Sequence, residues 1–381
     1  MLTFRAMDDD IGRAVLEHEE VVRYLRGGHG EDPESARARV HAYLEELRTT
    51  QRYPLYRALK HPVYPLLRKI TRHVEHVERA IEATRAGRVM YASNHKSHAD
   101  YLIEPIVLDD NGIRPPVIAA GINLFGGPLG MLHRHVTGAI PIRRATKDPA
   151  YLITLKAYIA ELLERHDLLF YPEGGRSYSG ELKPAKTGLI HAAMQAEVEG
   201  LAVVPIAISY DLVLEDRILS RQGVKKRQRA FASELAAMAR DAVGYRSRAF
   251  VTFGAPIATA PFDPQSRRDV LDLAHLVRNT IGRMQKVTPT SIVAASMRPS
   301  LSLADLEARA DELIGRLREA GSNLAVENGP QAVAEGGEAL RARGVLALDG
   351  GRLRVRNRTM LRYYSRMIEH LLLPRRGHAP S

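Results

Sequence analysis

Residues 89–100 read VMYASNHKSHAD, an apolar run that passes directly into a polar loop. Further short apolar runs end in the same way and are separated by segments with helical periodicity. They cover residues 117–120, 139–142, 168–172, 203–209 and 249–253. Short apolar runs bounded by turn residues are typical of buried strands, and strands that alternate with helices form sheets covered on both faces. We therefore predict an α/β protein with a mixed sheet flanked by helices.

The segments on either side of this core show other patterns. Residues 1–87 carry helical periodicity without a strand pattern and predict an N-terminal helical region. Residues 88–298 form the predicted α/β core. Residues 299–381 predict a small, mostly helical C-terminal domain with a hairpin around the turn at 349–351. The candidate helices outside the core cover residues 11–26, 32–52, 63–85, 303–318, 331–343 and 359–373.

The composition excludes several kinds of catalytic and metal-binding site. The 381 residues include no cysteine, which excludes disulfides, thiolate metal sites and a cysteine nucleophile. The longest apolar stretch, near residues 201–210, is too short to cross a bilayer, and the first residues lack a secretory pattern, so we expect a cytoplasmic protein. The net charge of +11 favours nucleic acid, an anionic membrane surface or a phosphorylated small substrate.

The first polar loop suggests a general base. A carboxylate at Asp100 could orient the imidazole of His95, five residues earlier, so that the other ring nitrogen takes a proton from an alcohol. Two alternatives remain open. His95, His98 and Asp100 could form a metal site. Otherwise Asn94, Ser97 and Asp100 could simply cap the following helix.

The second polar loop follows the run at 168–172 and suggests an anion site. Paired glycines let the backbone approach a ligand closely, and the arginine after them offers a planar donor fork suited to phosphate. Two lysines add positive charge before a helix that is predicted to begin near residue 187. The alternative is a solvated basic loop. The residues assigned to this site are Glu173, Gly174, Gly175, Arg176, Ser177, Lys183 and Lys186.

A third candidate is the pair Arg143 and Arg144, which follows the run at 139–142. Neighbouring side chains on a strand point to opposite faces, so only one of the two is expected to enter a shared crevice. That crevice should lie outside the carboxyl ends of the strands, where open α/β sheets bind their ligands.

Taken in order, these segments resemble the glycerolipid acyltransferases. The resemblance rests on the His-x4-Asp pattern within 94–100, the Gly-to-Arg-Arg block at 138–144, the Glu-Gly-Gly-Arg-Ser loop at 173–177 and the Val-Pro-Ile strand at 204–206. The first loop and the Lys-Pro-Ala-Lys-Thr-Gly continuation at 183–188 look most like the branch that acylates glycerol 3-phosphate and dihydroxyacetone phosphate. The resemblance covers roughly residues 88–296.

The resemblance implies a mechanism without metal or cofactor and without a covalent acyl-enzyme. His95 would be the general base on the acceptor hydroxyl, and Asp100 would orient it. Arg143 or Arg144, together with Arg176 and the glycine backbone, would hold the acceptor phosphate. The acyl group would come from a thioester of coenzyme A or acyl carrier protein, at the inner face of the cell membrane.

One position departs from the branch. Tyr178 stands where a second arginine is common, two places after Arg176, and this favours a lipid acceptor such as lysophosphatidate. Lys183 or Lys186 could compensate for the missing arginine. A nucleic-acid-binding protein, based on the net charge and the basic hairpin region at 331–355, is the alternative from a different class; otherwise no nucleic-acid partner is expected.

Contact with a membrane is expected for a protein that makes a lipid. Two segments, 53–70 and 362–376, mix tyrosine and leucine with basic residues, as headgroup-level anchors do. The alternative for both, which we favour, is an ordinary amphipathic helix packed on the core. The basic run at 217–229 could contact lipid headgroups, coenzyme A or an acidic carrier protein.

Overall fold

The computed structural model describes residues 3–27, 32–58, 70–125, 130, 134–196, 198–219 and 247–373. One mixed sheet of eight strands forms the centre, and a three-stranded antiparallel sheet lies in the C-terminal region. The strands of the large sheet are β1 (Ile70–Glu75), β2 (Val89–Ser93), β3 (Val117–Gly121), β4 (Ala139–Ile142), β5 (Leu168–Phe170), β6 (Ala202–Tyr210), β7 (Ser247–Phe253) and β8 (Ile257–Ala258). The small sheet consists of β9 (Ser300–Ser302), β10 (Leu346–Asp349) and β11 (Arg352–Val355).

Helices surround the large sheet. Those up to the end of β6 are α1 (Thr3–Glu17), α2 (Glu19–Leu25), α3 (Pro33–Leu47), α4 (Val77–Ala86), α5 (Asp100–Asp110), α6 (Pro149–Leu163) and α7 (Gly188–Met194). The later helices are α8 (Arg267–Met284), α9 (Pro289–Ser296), α10 (Leu303–Glu319), α11 (Gly329–Ala342), α12 (Arg358–Arg366) and α13 (Glu369–Leu372). A short 3-10 turn at Ile122–Leu124 follows β3.

The strand order determines where a site can form. The large sheet runs β1-β7-β6-β2-β5-β3-β4, and β8 adds to one end of β6. Neighbouring strands from β6 to β4 are parallel, so the carboxyl ends of these five strands lie along one edge. β7 and β8 pair antiparallel with β6, and β1 pairs in parallel with β7, so these three strands run in the opposite direction and make the sheet mixed. The polar loops that follow β2, β4 and β5 therefore emerge side by side.

Two apolar clusters cover the two faces of the sheet. On one face, buried residues of α1 to α3, α6, α7 and α8 pack together against the strands. On the other face, α5 and the C-terminal elements from α9 to α12 share one cluster with the strands. The C-terminal region is thus packed on the core through a continuous apolar contact, not attached through a linker.

The predicted α/β class with a mixed flanked sheet is confirmed, and so is the C-terminal hairpin, formed by β10 and β11. The helix predicted at 63–85 is wrong at Ile70–Glu75, where β1 lies, and is confirmed at residues 77–85, which α4 covers. Ile70 is the one buried residue of β1, which pairs in parallel with β7 at the sheet edge. The domain boundaries at residues 87 and 298 stay predictions.

Of the two interpretations of the segment 362–376, its described part supports a helix packed on the core. Tyr363, Tyr364, Met367 and Ile368 are all buried against the other C-terminal helices. Most of the other anchor segment, residues 59–69, and positions 220–229 of the basic run lie outside the described residues. Among the helices that the structure describes, none has both the length and the apolar character that a bilayer crossing requires.

Candidate active site

The imidazole of His95 is held by the carboxylate of Asp100. Nδ1 of His95 lies 2.9 Å from Oδ2 of Asp100, which is fully buried at the first residue of α5. Oδ2 also accepts hydrogen bonds from the backbone N–H groups of Lys96 at 2.7 Å and Ser97 at 2.8 Å. Because this oxygen is already an acceptor, Nδ1 must donate, and Nε2 is left with its lone pair free to accept a proton.

A tyrosine from β6 fixes the other side of the same carboxylate. The hydroxyl of Tyr210 donates to Oδ1 of Asp100 at 2.6 Å. Asp100 therefore accepts four hydrogen bonds, and its plane and position are determined by the loop, the imidazole and the sheet together. This contact was not predicted, although the sequence placed Tyr210 at the end of a strand that leads to the crevice.

The ring of His95 is also held from one face. The ring of Tyr171 stacks on it with centroids 4.1 Å apart and planes 17° from parallel. Burial lowers the pKa of His95, although the hydrogen bond and charge of Asp100 raise it. The imidazole is consequently neutral near pH 7, the state in which Nε2 can act as a base.

A second carboxyl group lies beneath this stack. Glu104 on α5 is fully buried and accepts hydrogen bonds from Tyr171 Oη at 2.9 Å and from Ser93 Oγ. Burial and the neighbouring charge of Asp100 raise the pKa of Glu104 well above its ordinary value. Glu104 therefore anchors Tyr171 under the imidazole through this hydrogen bond.

His95 lines a cavity of about 450 Å³ at the carboxyl edge of the sheet. Apolar side chains from the ends of β3 and β4 and from α6 and α7 form much of its wall. They include Leu102, Ala119, Ala120, Leu124, Ile142, Leu152, Leu155, Leu189 and Ala192. The polar lining comes from His95, His98, Tyr101, Arg144, Lys156, Lys186 and His191 among others. A base thus faces a space that has both an apolar wall and several cations.

Two of these cations pack over the paired glycines. An added Cβ on Gly174, whose φ is +69°, would lie 2.7 Å from Nζ of Lys186, and one on Gly175 would lie 3.2 Å from Nη1 of Arg144. The absence of both side chains lets the two cations approach the loop backbone closely. Neither cation forms an ion pair with a described carboxylate, so both have charge to offer a bound anion.

Both arginines after β4 lie beyond the end of the strand and line the cavity, but they differ in their ion-pair partners. Arg143 forms a two-point ion pair with Glu46 on α3, with Nε at 2.7 Å from Oε1, and its guanidinium lies over the ring of Tyr43. Arg144 also lines the cavity, but it forms no ion pair with a described carboxylate; it lies next to Ala145, a non-glycine residue with φ of +56°. The structure therefore uses Arg143 mainly to hold α3 against the core.

The rest of the predicted anion loop lies behind the cavity wall. Arg176 is buried, with Nη1 3.5 Å from Oε1 of Glu215. Lys183 donates through Nζ to the carbonyl of Arg176 and sits 5.4 Å from the ring centroid of Tyr178. The residues that line the cavity do not include Arg176, Lys183, Tyr178 or Glu215.

Glu173 and Ser177 tie this loop to the loop of His95. Glu173 accepts from the backbone N–H of His95 at 3.3 Å and from that of Lys183 at 3.0 Å. Burial raises the pKa of Glu173, although both of these hydrogen bonds lower it. The backbone N–H of Ser177 donates to the carbonyl of His95 at 2.9 Å. Both residues organise the loops instead of lining the cavity.

The metal alternative has no supporting geometry in the described part of the chain. No group of three or more histidine, aspartate or glutamate side chains there is close enough to hold a metal ion. Oδ2 of Asp100 is occupied by His95 and two backbone donors, as described above.

Comparisons with known proteins agree with this geometry. The model of the family described as Acyltransferase matches residues 69–209, which include both polar loops. Over these residues the chain is similar to that family. Its sequence is 34% identical over 235 residues to the glycerol-3-phosphate acyltransferase of Aeromonas hydrophila, which is 59% of this chain and 29% of that protein. It is 31% identical over 262 residues to the enzyme of the same name from Actinobacillus succinogenes, 65% of this chain and 32% of that protein.

Another acyltransferase relative aligns over a longer stretch. A Mycobacterium tuberculosis protein provisionally named acyltransferase plsB1 is 29% identical over 330 residues, 82% of this chain and 52% of that protein. The first two of these relatives are named after glycerol 3-phosphate, the acceptor of the branch that the motifs resemble. The matched parts span about a third to a half of the relatives' own lengths. Among solved structures, the 1-acyl-sn-glycerophosphate acyltransferase PlsC of Thermotoga maritima gives a TM-score of 0.36 at 15% identity, over 73% of this chain and 96% of that one.

Proposed function

We propose that this acyltransferase is a glycerol-3-phosphate O-acyltransferase. The observation that supports the proposal best is the neutral, oriented imidazole of His95 in a cavity with two uncompensated cations and an apolar wall. Glycerol 3-phosphate has a phosphate for the cations and a hydroxyl for the base. The apolar wall suits a fatty acyl chain. The names of the similar proteins from Aeromonas and Actinobacillus support the same acceptor.

The proposed reaction needs one base and no acyl-enzyme. Nε2 of His95 takes the proton of an acceptor hydroxyl while its oxygen attacks the thioester carbonyl. The carbon–sulfur bond then breaks, and the proton passes from the imidazolium to the leaving thiolate. Asp100 stabilises the imidazolium that forms in between. The products are lysophosphatidate and a free thiol, carried by coenzyme A or acyl carrier protein.

Arg144 and Lys186 are the proposed contacts for the acceptor phosphate. Both lie against the backbone at Gly174 and Gly175, on a wall of the cavity that contains His95. We give Arg176 a supporting role, because it is buried in an ion pair and absent from the cavity wall. This differs from the expectation that Arg176 itself contacts the phosphate.

We further propose that the protein works at the cytoplasmic surface of the cell membrane, where its lipid product is needed. The net charge of +11 favours an anionic lipid surface. Binding to liposomes with and without anionic lipid, followed by sedimentation, tests this point. Equal binding to neutral and anionic liposomes contradicts the electrostatic part of the proposal.

Lysophosphatidate is the second candidate acceptor. Tyr178 carries no charge, and its ring lies 5.7 Å from the guanidinium carbon of Arg176 and 5.4 Å from Nζ of Lys183, so it covers cations that a more polar loop would leave exposed. A less charged acceptor loop favours an acceptor that is itself a lipid.

Transfer of a radiolabelled acyl group by the purified protein tests the proposal. Glycerol 3-phosphate, dihydroxyacetone phosphate and lysophosphatidate are offered side by side with liposomes, and acyl-coenzyme A is compared with acyl carrier protein as donor. The His95→Ala variant is the control. Product from glycerol 3-phosphate that disappears in the control supports the proposal. If only lysophosphatidate is acylated, the enzyme catalyses the second acylation, in which lysophosphatidate is the acceptor. If no acceptor gives product, acyl transfer to all three is refuted.

A further inference from the structure

Glu215 is a buried carboxylate that contacts the loop of His95 from outside the cavity. It lies beyond the end of β6 and is fully buried. Its Oε2 accepts a hydrogen bond from Ser97 Oγ, and its Oε1 accepts one from the backbone N–H of His98 at 2.7 Å. Both donors belong to the short loop between β2 and α5. A single carboxylate thus holds that loop at two points.

The same carboxylate also reaches the anion loop. Oε1 of Glu215 lies 3.5 Å from Nη1 of Arg176, a side chain that is 7% exposed. A buried guanidinium without a partner carries a large desolvation penalty, so this ion pair fixes where Arg176 can lie. Glu215 is therefore a contact shared by the loop of the base and the loop of the paired glycines.

The next residue provides an internal comparison. Asp216 is equally buried, but it faces the C-terminal helices. Its carboxylate lies 3.1 Å from Nη2 of Arg343 and accepts from Tyr364 Oη at 2.6 Å. Two adjacent carboxylates with similar burial thus serve different neighbours, and only Glu215 contacts the loop of His95.

We propose that Glu215 is a positioning residue for the acyl transfer proposed above. It holds the loop of His95 and the loop of Arg176 in one relative position, so that Nε2 of His95 faces an acceptor whose phosphate lies at Arg144. Glu215 does not line the cavity and does not touch the substrate. The expected effect on catalysis rests on the proposed function. The contacts of Glu215 are independent of that proposal.

Steady-state kinetics of three variants test this role. Glu215→Ala releases both contacts, and we expect kcat to fall about 100-fold, the loss that a displacement of about 1 Å can cause. The KM for the thioester should stay within about twofold, because the apolar wall is untouched. Glu215→Gln can still accept from His98 N and donate to Ser97 Oγ, so it should recover most of kcat. Asp216→Asn should lower the melting temperature and leave kcat unchanged.

The comparison of kcat across the three variants tests whether Glu215 has a positioning role. Wild-type kcat in Glu215→Ala overturns the proposal, and so does an equal loss of kcat in Asp216→Asn, because burial alone would then explain both. A Glu215→Gln variant as slow as Glu215→Ala also contradicts the role of the loop contacts. If Glu215→Ala does not fold, Ser97→Ala removes one contact without leaving a charge unpaired. We expect it to lower kcat about tenfold, and an unchanged kcat refutes the proposal.

A measurement independent of activity separates this inference from the proposed function. Hydrogen exchange of the His98 amide should be faster in Glu215→Ala than in the wild type and unchanged in Asp216→Asn. The same rate in all three proteins overturns the inference. If no acceptor is acylated, the proposed function fails, yet the exchange rates still decide whether Glu215 holds the loop.

Discussion

Replacing Asp100 by asparagine tests how the base is oriented. The two ends of the new amide are not equivalent in this site. At the position of Oδ2 it meets three donors, which are Nδ1 of His95 and the backbone N–H groups of Lys96 and Ser97. At the position of Oδ1 it meets only the hydroxyl of Tyr210, which can also accept. We therefore expect the amide oxygen to take the place of Oδ2.

The size of the effect follows from that orientation. The reverse orientation places an NH2 group against two backbone donors and loses both hydrogen bonds, at about 1–3 kcal/mol each. The favoured orientation keeps Nδ1–H as the donor and Nε2 as the base, so only the charge of the carboxylate is lost. A hydrogen bond to a charged group exceeds a neutral one by about 1–2 kcal/mol, which corresponds to roughly a tenfold decrease in kcat.

The assay compares Asp100→Asn with His95→Ala under saturating thioester and acceptor. Removal of a general base costs about 10²- to 10⁴-fold, so His95→Ala should be far slower than Asp100→Asn. The pH dependence of kcat/KM gives a second measurement. Asp100 raises the pKa of His95, so its loss should lower that pKa further and move the acidic limb of the profile to lower pH. An Asp100→Asn variant as inactive as His95→Ala refutes the predicted amide orientation.

Four further substitutions have distinct expected results. Arg144→Ala should raise the KM for a phosphorylated acceptor about tenfold or more, whereas Arg143→Ala should mainly lower the melting temperature; equal effects on KM contradict the division of the pair. Leu155→Trp should reduce transfer from long-chain thioesters more than from short-chain ones, because it fills the cavity, and an unchanged chain-length profile excludes this wall from acyl binding. Gly180→Ala should lower the free energy of unfolding in urea by at least about 1–2 kcal/mol. Gly180 has φ of +88°, and its added Cβ would lie 2.0 Å from the carbonyl oxygen of Tyr363; unchanged stability contradicts that packing.

The sequence determined the class of the fold and the loops that carry the chemistry. Apolar runs with turn residues between them are local signals, and six of them correspond to strands of the large sheet. The sequence pattern did not predict β1, because this edge strand mixes polar and apolar residues. It forms a strand only through its pairing with β7. The hairpin of β10 and β11 was predictable because its turn residues lie next to each other in the chain.

Which charged side chains face the cavity was decided by the tertiary structure alone. The sequence offered Arg143, Arg144 and Arg176 as equal candidates, but their partners come from distant positions. Glu46 pairs with Arg143 and Glu215 pairs with Arg176, so among the three only Arg144 lines the cavity without an ion pair to a described carboxylate. The pairing of His95 with Asp100 was expected because both lie on one short loop. The contacts of Tyr210 and Glu215 were not, because a long-range hydrogen bond leaves no periodic or local trace in the chain.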